Sequence, residues 1–79
     1  MLAYGYPRNS TADEPSALSE ATLLCTKEEL DQIITFLQSI QRKCQNNEMD
    51  GFHAHFQDFQ ENWNNDESDF IICLKDKEI

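Results

Sequence analysis

One amphipathic stretch constrains this chain more than anything else in it. Leu30, Ile33, Ile34, Leu37, Ile40 and Cys44 recur at steps of three and four residues, the spacing that gathers side chains onto one stripe of an α-helix. The start of that helix is marked by Thr26 with Glu29 three positions on. This pair forms a capping box: the threonine oxygen accepts from a first-turn amide and the glutamate reaches back to the threonine's own N–H. Glu28, Glu29 and Asp31 suit the positive pole of the helix dipole, Arg42 and Lys43 the negative one. Asn46-Asn47 offers a C-terminal stop. A helix over Thr26–Gln45 is expected, its apolar stripe turned to the core.

Three short strands are expected around it. Ala21-Thr22-Leu23-Leu24-Cys25 is an apolar run between polar residues that suits a strand leading into the helix. From Phe52 to Phe59 the chain alternates, with Phe52, Ala54 and Phe56 on one face and His53, His55 and Gln57 on the other. Phe70-Ile71-Ile72-Cys73-Leu74 is apolar on both faces. The order β-α-β-β predicts an α+β fold, a small three-stranded sheet with one amphipathic helix packed on one face. A single helix leaves the opposite face, with Ile71, Cys73 and Leu24, in need of cover. Tyr4 and Tyr6 or a second subunit could supply it. Residues Arg8 to Ser16 are polar, aperiodic and interrupted by Pro15. Residues 1–20 therefore read as a flexible leader or an extra strand, and 21–79 as one α+β domain.

Length and charge narrow the function. A chain of 79 residues buries only roughly 60–65% of the surface its unfolded form exposes, which leaves stability marginal. Hydrophobic content of 39% with five Phe, two Tyr and one Trp still supports a compact core. Fifteen acidic residues against six basic ones give a net charge of −9, which repels nucleic-acid phosphates and anionic lipid surfaces. Such a charge serves either solubility or attraction to a basic partner. No segment approaches the ~20 apolar residues of a membrane span and the N-terminus lacks a signal-peptide run, so a cytoplasmic protein is expected. Cys25, Cys44 and Cys73 are odd in number and far apart, as expected of free thiols or small apolar residues rather than of a disulfide framework or zinc knuckle.

Chemistry-bearing patterns are few. His53-x-His55 sets two imidazoles on one side of a strand with Asp50, Asp58, Glu61 and Asp66 nearby, but a metal site needs three convergent ligands and this spacing supplies two. A Cys–His nucleophile needs an electropositive surrounding that an acidic chain does not provide. With glycine only at Gly5 and Gly51, no phosphate-cradling loop is present. Neither an enzyme nor a cofactor is expected. The informative segment lies between Lys43 and Lys75, which contains no Lys or Arg but holds Glu48, Asp50, Asp58, Glu61, Asp66, Glu67 and Asp69 around Phe59 and Trp63. Carboxylates with an aromatic anchor suit a basic protein partner. The expected contact residues are His53, His55, Asp58, Glu61, Trp63, Asp66 and Glu67. The alternative for Trp63 is a place in the core, with the carboxylates a solvated loop.

Taken with Tyr4-Gly5-Tyr6, Leu18-Ser19-Glu20-Ala21-Thr22-Leu23, Thr26-x-Glu28-Glu29-Leu30 with Ile33, Phe36 and Leu37, His53-x-His55, Trp63 and Asp69-Phe70-Ile71-Ile72, the chain resembles a group of small bacterial immunity proteins of polymorphic toxin systems. The resemblance implies a cytoplasmic antidote that binds and occludes a cognate toxin domain, without catalysis or cofactor. A structural or regulatory homodimer and a weak His-based metal-binding protein are the other expectations.

Overall fold

The computed structural model describes residues 1–44, 51–64 and 66–75. The chain is α+β, with elements in the order β1 (Ala3–Gly5), β2 (Ser16–Leu18), α1 (Lys27–Lys43), β3 (His53–His55), α2 (Phe56–Phe59) and β4 (Ile71–Cys73). The expected three-stranded sheet is replaced by two antiparallel pairs, β1 with β2 and β3 with β4.

Helix α1 begins where its local chemistry dictates. The Thr26 Oγ1 accepts from the Glu29 N–H at 3.1 Å and the Glu29 carboxylate accepts from the Thr26 N–H at 2.8 Å, so both halves of the capping box form. Cys44 closes the helix by donating its N–H to the carbonyls of Ile40 and Gln41. The expected last residue Gln45 and the Asn46-Asn47 stop lie outside the described residues.

The core is small and aromatic. Phe36 (2% exposed), Ile40 and Phe56 are its buried residues, with Ile33, Cys44, Phe52, Ala54, Trp63, Phe70, Ile72 and Leu74 packed against them. Phe36 is the hub: its ring lies 5.3 Å from Phe56, 5.4 Å from Phe59 and 5.5 Å from Phe70. The Phe56 contact is edge-on and the Phe70 contact nearly perpendicular, arrangements favoured by ring quadrupoles. The buried line of α1 therefore runs through Ile33, Phe36, Ile40 and Cys44. Leu30, Ile34 and Leu37, expected on the core stripe, are instead nearly half exposed. The apolar arc of α1 is wider than this thin core can cover, and Phe36, bulkier than any of the three, takes the centre.

Two expected strands are also corrected. Ala21–Cys25 forms no strand and is exposed throughout, with Leu24 at 99%. A short apolar run becomes a strand only where a partner edge meets it, and both described sheets are completed without it. The alternating stretch from Phe52 to Phe59 is a strand only over His53–His55 and then turns helical over Phe56–Phe59. In an extended chain Phe56 and Phe59 would point to opposite faces, whereas one helical turn brings residues three apart to the same face. Both rings thereby reach Phe36.

Strands β3 and β4 pair His53 with Cys73, Ala54 with Ile72 and His55 with Ile71. The ladder continues through Phe56 N–H to Phe70 carbonyl at 2.9 Å and Leu74 N–H to Phe52 carbonyl at 2.8 Å. Ala54 and Ile72 pack on the core while His53, Ile71 and Cys73 face outward and are exposed. Tyr4 and Tyr6 do not cover that outer face, since both are exposed on the N-terminal hairpin and its connection. The polar residues 8–16, expected as a loop, lead from the β1 end into β2 and include a turn at Pro7–Ser10, where Asn9 has φ 63°. Asparagine tolerates that left-handed conformation better than most side chains. Arg8 ties this hairpin to the rest by donating to the Asp66 carbonyl at 2.9 Å.

Candidate protein-binding groove

The expected contact residues divide between two grooves that share Phe59. The larger, about 510 Å³, lies where the first half of α1, the end of α2 and the following segment meet. Its walls are Glu29 and Gln32 from α1, Phe59 and Gln60, and then Glu61, Asn62, Trp63 and Glu67. The smaller, about 330 Å³, runs between the C-terminal half of α1 and β3, with His53, His55, Asp58 and Lys43 on its rim above Phe36 and Ile40. Asp66 lies in neither lining; its carbonyl accepts from Arg8.

The larger groove is built from chain geometry that local sequence only half announces. Helix α2 carries Phe59 to the rim, where it is partly exposed. Trp63 is half-buried and packed on the core cluster, so it forms a wall rather than a free-standing anchor. Asn64 turns the chain back: its side chain accepts from the Asp66 N–H and its carbonyl from the Glu67 N–H, both at 2.9 Å. That turn returns Glu67 to the groove beside Glu61. Glu29 and Gln32 were missed as site residues because the capping role accounted for Glu29. Their spacing to Phe36, seven and four residues, places them on the core side of α1 and is the signal that could have found them.

The lining has a clear chemical character: two aromatic side chains and three carboxylates, with no Lys or Arg among them. One Glu29 oxygen is already occupied by the Thr26 N–H, whereas Glu61 and Glu67 are exposed. A guanidinium or ammonium in this groove could lie against the ring of Trp63 or Phe59 while a carboxylate accepts its N–H groups.

The histidines serve a different purpose. The Asp69 carboxylate accepts from His55 Nδ1 and from the Gln57 N–H, each at 2.8 Å. Since an ionised carboxylate only accepts, this contact places a proton on His55 Nδ1. Asp69 thus caps α2 from a distant part of the chain, and it is only partly exposed. The His53 and His55 rings stand 5.6 Å apart, edge to face. Among the described residues no three His, Cys, Asp or Glu side chains converge as a metal site. Cys25 and Cys73 are exposed free thiols and Cys44 packs against the core. Glu48 and Asp50 lie outside the described residues, and no helix among the described residues is long and apolar enough to cross a membrane. Comparison of the chain with protein-family models, curated proteins and solved structures returns no match.

Proposed function

We propose that this chain is a protein-binding inhibitor of the immunity type, which occludes a basic toxin domain by taking an arginine or lysine side chain into the groove of Phe59, Trp63, Glu61 and Glu67. The observation that carries the reading is the composition of that groove, aromatic walls with carboxylates and no basic residue lining it. It is supported by the net charge of −9, which steers a cationic partner toward the chain. Binding requires no catalysis: a partner held over its own functional surface is blocked by occlusion. His53, His55 and Asp58 then form a second contact region across Phe59, and Asp66 acts through the position of its backbone. The cytoplasm is the compartment in which such an antidote would act.

The test uses the intact chain with an arginine-rich peptide as a defined probe, and with a toxin-like domain where the neighbouring gene encodes one. Trp63 is the only tryptophan, so its fluorescence reports on the groove directly. Neutralising Glu61 and Glu67 together to glutamine should slow association several-fold at low salt, with most of the difference gone at about 1 M salt, where the screening length falls to about 3 Å. Trp63→Phe should preserve the fold and speed dissociation. An unchanged association rate for the double variant at low salt, or no fluorescence response to either ligand, would show that the contact lies elsewhere.

A further inference from the structure

We propose that the outer flank of α1 is a self-association surface on which a second copy of this chain docks with its helix antiparallel. The first observation is exposed apolar surface in one line. Leu30, Ile34 and Leu37 are 47%, 45% and 42% exposed, and steps of four and three residues set them along one stripe beside the buried line of Ile33, Phe36 and Ile40. Leu23 and Leu24, just ahead of the helix, are exposed as well.

The second observation selects a copy of the same chain as the occupant. A chain with net charge −9 repels itself almost everywhere. Helix α1 carries no net charge of its own, because Lys27, Arg42 and Lys43 balance Glu28, Glu29 and Asp31. Its charges are also unevenly placed, with Glu28 and Glu29 outweighing Lys27 in the first turn and only Arg42 and Lys43 in the last. Asp31 and Arg42 lie about three turns apart and so on the same flank of the apolar stripe. An antiparallel pairing sets Asp31 of each copy toward Arg42 of the other and opposes the two helix dipoles, which makes the surface self-complementary as a two-fold interface requires. The outer face of β3 and β4 lacks both properties, since Ile71 is its single large exposed apolar side chain there. This inference goes beyond the inhibitor reading and does not use its groove, whose α1 residues Glu29 and Gln32 lie on the other flank of the helix.

Sedimentation of the full chain from micromolar to millimolar concentration is the deciding measurement, with far-ultraviolet circular dichroism to confirm that each variant keeps α1. The wild type should pass from monomer to dimer. Ile34→Glu, at a position already solvated in the monomer, should raise the dissociation constant about 100-fold, because two-fold symmetry places the buried charge in the interface twice. Asp31→Lys should weaken the dimer about tenfold by facing Arg42 of the other copy, and adding Arg42→Glu should restore most of the loss. A wild type that stays monomeric at millimolar concentration would overturn the proposal. So would a dimer insensitive to Ile34→Glu, a dimer broken by Ile71→Lys alone, or a charge-swapped double variant no better than Asp31→Lys.

Discussion

Removing the Asp69 carboxylate should unhinge α2 and, with it, the approach of Phe56 and Phe59 to Phe36. Asp69 makes two 2.8 Å contacts, to His55 Nδ1 and to the Gln57 N–H. The second is the only side-chain cap α2 has among the described residues, because its own N-cap His55 makes none. Loss of a capping oxygen costs about 0.5–2 kcal/mol, and a hydrogen bond to a charged group about 1.5–3 kcal/mol when buried. Asp69 and His55 are both partly exposed, which discounts the second figure, so Asp69→Ala should cost about 1.5–3 kcal/mol in total. Against a stability of roughly 4–12 kcal/mol for a chain of this length, that is a large fraction. The melting temperature should fall by roughly 8–16 °C for about 2 kcal/mol. Asp69→Asn keeps an oxygen for the Gln57 N–H and should lose less than Asp69→Ala. Urea unfolding gives the free energies, and the Gln57 amide should lose hydrogen-exchange protection in Asp69→Ala. Nitrogen chemical shifts of His55 should show Nδ1 protonated in the wild type and a mixture of tautomers in the alanine variant. A loss below about 0.5 kcal/mol with Gln57 protection unchanged would refute the capping role, since even a weak cap contributes that much.

Phe36→Ala should be the most damaging single substitution in the described core, costing about 3–5 kcal/mol, because three aromatic contacts end with it. Near-ultraviolet circular dichroism and urea titration check this, and a cost of about 1 kcal/mol would mean the aromatic cluster is not the core. Stoichiometric zinc added to chelator-stripped protein should change the melting temperature little, since no three ligating side chains converge among the described residues. A large rise abolished by His53→Ala would overturn that expectation.

The two carboxylates closest to established structure, Glu29 and Asp69, illustrate what is legible in a sequence. Glu29 lies three residues from Thr26, and its cap is a local interaction whose partners are set by the helical geometry of the intervening turn. The start of α1, its dipole-matched ends and the pairing strand at Ile71–Cys73 could therefore be read from residue spacing. Asp69 meets His55 and Gln57 across fourteen and twelve residues, and no local pattern specifies such a partner. The same is true of the change from strand to helix after His55, which follows from bringing Phe56 and Phe59 together against Phe36. Spacing identified the acidic and aromatic segment from Glu48 to Asp69, but only the turn at Asn64 and the packing of Trp63 decided which of its described members share a groove. Periodicity likewise marked the whole apolar arc of α1. Which part of that arc is buried and which is left facing solvent was decided by packing alone, because a hydrophobic stripe states that cover is favourable and a core this small can cover only one side of it.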